Sequence, residues 1–473
     1  MIVSKQSPGV HPLLSQALEM AGSFLDGLPQ RHVGGSADWD KLISDLGGPL
    51  PDEGEDPARM LSHLAEAIEP GLVATAGPRY FGFVIGGSLP ATVATDWMTA
   101  AWDQNAGLLA ASPAAAAAEE VAALWILDVL GLPSGAAVGL VTGGQMANFT
   151  CLAAARHEML RRAGWDVERR GLRGSPALSV IAGAEAHATI ESSLRMLGLG
   201  DEWIKIVPSD SQGRMDPVEL RRTLERVNGP SIVCAQAGNV NTGAFDPFDE
   251  IAPAVRAHEG WLHVDGAFGL WAAASPALKH HLTGVALADS WAVDAHKWLN
   301  VPHDCGIAIT NHPEAQRSSM TVGAPYLIKK GKTERDPLDW VPESSRRARG
   351  FTVYAALKTL GRRGLADLVE RCCRHARLMA ERLSRAERVE ILNEVVLNQV
   401  LVRFVPPSGA DATRFTDAVI SRVQRDGTCW AGGTTWHGLR AMRISVCNWS
   451  TSESDIERSA EAILKAAREE AGA

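Results

Sequence analysis

Between about residue 79 and residue 355, short runs rich in β-branched residues alternate with longer segments of helical apolar spacing. The runs are AVGLVT, LSVIAG, IKIVP, SIVCAQ, WLHVD and GIAIT, and between them lie patterns such as ANFTCLAAARHEMLRRAG and PVELRRTLERVNG. A short run that is apolar throughout offers no polar face to water, so such a strand is covered on both sides. The alternation predicts βαβ units and an α/β fold with a mostly parallel central sheet. In an open parallel sheet, ligands bind just beyond the C-terminal ends of the strands. Those ends are where chemistry is to be sought.

The flanks differ from this middle zone. Residues 1–78 read as an N-terminal helical segment, in which HPLLSQALEMAGSFLDGL and DPARMLSHLAEAIEPG are separated by a Gly/Pro/Asp-rich stretch from Gly47 to Asp56. Residues 79–355 form the large α/β domain. Residues 356–473 read as a small C-terminal α+β domain: a long helical pattern, strands over ILNEVVLNQVLVRFVP and LRAMRISVCN, and a closing helix SESDIERSAEAILKAAREE. A chain of 473 residues is long enough for two or three domains.

The charge balance, 46 basic against 55 acidic residues, argues against a nucleic-acid or anionic-membrane partner. The seven cysteines form no CxxC pair and are odd in number, so neither a disulfide framework nor a metal centre is indicated. A reducing cytoplasm is the expected setting. The N-terminus lacks a signal-peptide core. The alanine-rich SPAAAAAEEVAALWILDVLG is interrupted by Glu119, Glu120 and Asp128, which makes it a soluble helix rather than a membrane span.

Four strand ends carry unusual residues. GLVTGGQMANFT sets Gly143 and Gly144 between a strand and a helix expected to start near Met146, either a tight turn or a site where backbone N–H groups meet an anion. WLHVDGAFG ends on Asp265, which can cap the next helix or hold a protonated ring nitrogen. GAEAHATIESS carries His187 at a helix start, a place for a structural histidine or for one that stacks on a planar ligand. SWAVDAHKWLN delivers Lys297 after an apolar strand, between Trp291 and Trp298. A lysine there is either a core residue paired with Asp294 or a Schiff-base former. An anion-binding turn, a stacking histidine, a ring-nitrogen carboxylate and a nucleophilic lysine are together what pyridoxal 5′-phosphate requires.

From GPRYFGF near residue 77 to its end, the chain resembles the group II pyridoxal-phosphate-dependent amino-acid decarboxylases, which include aromatic-amino-acid and glutamate decarboxylases. The resemblance is strongest in VTGGQMAN, AHATIESS, HVDGAFG and DAHKWLN, and it looks like a bacterial subgroup. It implies the aspartate-aminotransferase-like fold and a homodimer. By position, Lys297 would bind the cofactor covalently, Asp265 would contact the pyridine nitrogen, and Ala267 and His187 would lie on the two ring faces. Gly144 and Gln145 would bind the phosphate, with Asn239 and His296 close by. Phe83 and the segment Trp102, Asp103, Gln104 and Asn105 match positions lining the substrate side chain; the segment is polar where aromatic-substrate relatives are apolar. Asp294 stands where relatives have asparagine, and is expected to face a donor. In VGAPYLIKKGKTERD, Tyr326, one of only three tyrosines, matches a catalytic loop tyrosine that protonates Cα after CO₂ leaves.

The resulting expectation is decarboxylation of an L-α-amino acid with a polar side chain. Decarboxylation-linked oxidative deamination, or β-elimination from a cysteine S-conjugate as in lincosamide biosynthesis, would keep the cofactor and change the outcome. A silent regulatory homologue would have no need of Lys297 and Asp265. Transamination is disfavoured because HKWLNVPHDCGIAITN lacks a phosphate-binding arginine, although Arg443 could bind a carboxylate.

Overall fold

The computed structural model describes residues 10–321, 335–407, 409 and 411–472. Seven strands build the central sheet: β1 (Ala137–Val141), β2 (Ser179–Gly183), β3 (Lys205–Val207), β4 (Ser231–Gln236), β5 (Trp261–Asp265), β6 (Ser290–Asp294) and β7 (Gly306–Thr310). Their order is β1-β7-β6-β5-β4-β2-β3. The pairs from β3 through β6 are parallel, whereas β7 runs antiparallel to both β1 and β6. Every residue of β1, β4, β5, β6 and β7 is buried, as their unbroken apolar character requires.

The helix Gly144–Arg162 crosses β5, β6 and β7, and small buried residues such as Ala147, Cys151 and Ala154 let it approach the sheet closely. It begins at Gly144, ahead of the expected Met146, with the extended Gly143 as its N-cap. The alanine-rich helix spans Pro113–Leu130. Its Glu119 is buried and paired at 2.7 Å with Arg346, whose guanidinium also donates to the Ala106 and Leu140 carbonyls. Among the described residues no helix is long and apolar enough to cross a membrane.

A second, four-stranded antiparallel sheet has the order β10-β11-β9-β8 and comprises β8 (Val389–Ile391), β9 (Gln399–Phe404), β10 (Gly432–Trp436) and β11 (Leu439–Ser445). The single strand expected over ILNEVVLNQVLVRFVP is divided into β8 and β9. Asn393 divides it: its amide donates to the Thr242 and Gln399 carbonyls and accepts the Leu401 N–H, making a turn. The helix Gly350–Ser384 runs through position 355/356 and leaves helical geometry only at Gly361 (φ 59°). The N-terminal segment holds helices Val10–Gly27, Trp39–Leu46 and Pro57–Ile68; Asp38 and Asp56 cap the last two.

Candidate active site

The C-terminal ends of β1, β4, β5 and β6 share one sheet edge with the N-terminal end of β7. A cleft of about 150 Å³ opens there, lined by Gly144, Gln145, His187, Asp265, Ala267 and Lys297, all proposed from sequence. Asn148, Thr189, Gln236 and Phe268 also line it; they stand within or at the end of the quoted stretches, but nothing in the sequence assigned them a role.

Lys297 stands in the connection after β6, half-buried. Among the described residues its amine has no hydrogen-bond or ion-pair partner, and it sits 5.7 Å from the Phe268 ring centroid. Asp294 is not that partner. One carboxylate oxygen accepts the Gly144 N–H at 2.9 Å, and the other accepts the His296 N–H and lies 2.6 Å from His296 Nδ1. Lys297 is therefore not a core lysine neutralised by its neighbour. Two glycines make the surrounding geometry. A Cβ on Gly86 would lie 1.7 Å from the Lys297 carbonyl oxygen, and one on Gly306 would lie 2.3 Å from Gly143 backbone atoms. Only glycine lets these chains cross.

Asp265 accepts the Ala267 N–H at 3.1 Å through one oxygen and the Asn148 side-chain N–H at 3.1 Å through the other. His187 caps the helix Ala188–Met196; its Nδ1 accepts the Thr189 N–H and lies 2.9 Å from Thr189 Oγ1. The protein packed around the ring lowers the His187 pKa; Asp265 opposes this, and Lys297 and Arg443 add to it. Behind Asp265, the fully buried His263 is pushed down to about 4 by desolvation.

Other expected residues lie apart from the lining. Gly143 is the extended residue before the helix. Asn239 is buried; its amide oxygen accepts the Asn241 and Thr242 N–H of its own loop, and its NH₂ donates to the Glu185 carbonyl in the connection after β2. His296 packs against His303 with the rings tilted by 37° and their centroids 4.3 Å apart. Phe83 is 64% exposed and stacks on Trp430. Trp102 packs edge-on to Phe351, and Asp103 ends its helix with φ 47°. Gln104 links the Trp102 carbonyl to Ser112, while Asn105 holds the turn at Gly107 and Arg346. In one chain the Trp102–Asn105 segment does not reach the cleft lining. Tyr326 lies outside the described residues.

The groups in the cleft fit pyridoxal 5′-phosphate. A partnerless amine can hold its aldehyde carbon, a buried carboxylate can face its ring nitrogen, and a glycine-led helix N-terminus offers N–H groups to its phosphate. The model of the pyridoxal-dependent decarboxylase conserved domain matches residues 41–405. The acidic amino acid decarboxylase GADL1 of Bos taurus is 29% identical over 367 residues, covering 76% of this chain and 69% of that protein. The 4-hydroxyphenylacetaldehyde synthase of Rhodiola rosea is 28% identical over 431 residues, covering 87% and 86%. In fold, the chain superposes on Oryza sativa TDC, solved with PLP and tryptamine, with a TM-score of 0.92 at 23% identity, covering 99% of each chain. With the family model spanning most of its length, this chain belongs to the pyridoxal-dependent decarboxylases, carboxy-lyases whose cofactor is pyridoxal 5′-phosphate.

Proposed function

We propose that the enzyme decarboxylates an L-α-amino acid with a polar side chain, a reading carried by Arg443. This β11 guanidinium is half-buried, its partial desolvation lowers its pKa, and it is close enough to His187 to lower the pKa there. Among the described residues nothing accepts from it. A partly desolvated cation without an anion is costly, and an acidic side chain on the substrate, which keeps its oxygens when the α-carboxylate leaves, would relieve the cost. Similarity to an acidic amino acid decarboxylase supports a polar substrate.

Pyridoxal phosphate, when bound, supplies a sink for the electrons of the breaking bond between Cα and the carboxylate. Lys297 would provide the amine that holds it, and Asp265 would keep a proton at its ring nitrogen. Val240, Ala267 and Phe268 give the cleft an apolar wall. Such a wall excludes water and favours neutral CO₂ over a carboxylate. Tyr326 returns a proton to Cα, a role supported by its place in the sequence.

The site is proposed to be completed by a second copy. Phe83 and Trp102 are 64% and 49% exposed and lie outside this chain's cleft, and the helix Val10–Gly27 buries no residue of its own. A homodimer would cover these apolar surfaces and bring the 102–105 segment to a partner's cleft. Seven buried free thiols suit a reducing cytoplasm.

The test is a panel of acidic, sulfinic, other polar and aromatic amino acids, with products read by mass spectrometry. Amine and CO₂ from a polar member are expected. Turnover confined to aromatic members would overturn the substrate reading. Similarity to an aldehyde synthase supports a second reading, oxidative deamination linked to decarboxylation, and aldehyde with peroxide as the main products would establish that instead.

A further inference from the structure

Behind the cleft, a chain of hydrogen bonds links buried residues that the reaction described so far does not use to Asp265 and, at a more exposed end, to His187. Trp261 Nε1–H donates to Ser290 Oγ at 2.9 Å, and Ser290 Oγ lies 2.9 Å from His263 Nδ1. His263 Nε2 lies 2.9 Å from Asn148 Oδ1, and Asn148 Nδ2 lies 3.1 Å from Asp265 Oδ2 and 3.1 Å from Thr189 Oγ1. Thr189 Oγ1 in turn contacts His187 Nδ1.

The direction of every bond can be deduced. The Asn148 NH₂ donates to Asp265, so its carbonyl oxygen faces His263. His263 Nε2 then carries the hydrogen. Because burial keeps this imidazole neutral, Nδ1 is the acceptor and takes the Ser290 hydroxyl proton. The Ser290 oxygen accepts from the indole, which can only donate. On the other branch, the Thr189 backbone N–H points at His187 Nδ1, so Nδ1 accepts there too. The Thr189 hydroxyl therefore donates to His187 and accepts the second Asn148 N–H. The neutral His187 that results carries its hydrogen on Nε2.

Local sequence explains the assembly. His263 and Asp265 are two apart on β5 and share one sheet face, His263 pairs in register with Ser290 on β6, and the helix Gly144–Arg162 lays Asn148 over that face. Asparagine is a poor residue for a helix interior, yet Asn148 is only 1% exposed.

We propose that Asn148 is the positioning residue of this site: its single amide orients both the cofactor-facing carboxylate of Asp265 and, through Thr189, the tautomer of His187. This rests on the cofactor of the family and not on the substrate reading, and the test of Asn148 itself needs no substrate.

Asn148→Asp keeps the shape and sets an oxygen against Asp265. With circular dichroism matching the parent enzyme, pyridoxal phosphate affinity is expected to fall about 10-fold or more, the scale of one lost charge-assisted hydrogen bond. The pH midpoint of the bound cofactor's absorbance is expected to move as well. A folded variant with parental affinity and an unmoved midpoint overturns the proposal. Should Asn148→Asp not fold, Asn148→Ser is measured in the same way and the same outcomes decide. Thr189→Val cuts only the branch to His187; it is expected to keep cofactor affinity and lower kcat on any substrate turned over. Unchanged kcat would overturn that branch.

Discussion

Lys297 and Asp294 are three residues apart and lead separate lives: the carboxylate serves the glycine turn and His296, and the amine is left for chemistry. Lys297→Ala should therefore yield a folded protein that borohydride cannot link covalently to the cofactor, while the parent retains the label at Lys297 by peptide mapping. Tyr326→Phe is expected to reduce amine formation about 10²–10⁴-fold, the usual worth of a positioned acid; unchanged output would remove Tyr326 from the reaction. His263 gives a prediction with a sign. Its folded pKa of about 4 lies below the ordinary 6.5, so only the unfolded chain takes up this proton as pH falls through that interval. The stability it contributes is full above pH 6.5 and is lost progressively towards pH 4, amounting to roughly 3 kcal/mol. His263→Gln should flatten the fall of the apoenzyme's melting temperature between pH 7 and pH 5. Lys297, Asp265 and His187 were legible in the sequence because each stands at a strand end beside small or unusual neighbours. Asn148 and His263 were not, because an amide inside a helix and a histidine inside a strand acquire meaning only when register brings them together.

At the scale of elements, most of the central strands could be read from their apolar runs, but the direction of β7 could not. GIAIT looks the same read as a parallel or an antiparallel strand. The edge strand β10 escaped notice because Gly-Gly-Thr-Thr has no apolar stripe, and its residues are partly open to solvent. The reversal of β7 sets Gly306 against Gly143, where an added Cβ would meet backbone atoms that cannot rotate away. Gly306→Ala is expected to cost about 1–3 kcal/mol by overpacking and to weaken cofactor binding, because the displaced atoms are those of the anion-binding turn. Thermal unfolding and cofactor titration of the variant check both. A variant with parental melting and affinity would show that the turn can give way.

For the whole molecule, the Glu119–Arg346 pair ties the alanine-rich helix to the segment just before the long helix Gly350–Ser384. Both side chains are nearly or fully buried, so Arg346→Met should destabilise the protein by about 3–5 kcal/mol by stranding Glu119. The double change Glu119→Leu with Arg346→Met should recover most of the loss in chemical denaturation. Size-exclusion chromatography with light scattering is expected to report a dimer, and deletion of residues 1–27 to shift it towards monomer with loss of activity. A fully active monomer would sink the two-copy site. The placement of β7 also bears on when the enzyme becomes competent during synthesis. The glycine turn at residues 143–144 and Lys297 are made far apart in time, and β7, which lies between β1 and β6 in the sheet, is made after both. A nascent chain that has not yet released residues 306–310 from the ribosome holds Lys297, Asp265 and His187 but lacks the strand that joins β1 to β6, and is expected to have no cleft to load. Cofactor capture is thus expected to wait for β7, although about a third of the chain is still to be made at that point, and chains truncated before β7 should emerge colourless however much vitamin B6 surrounds them.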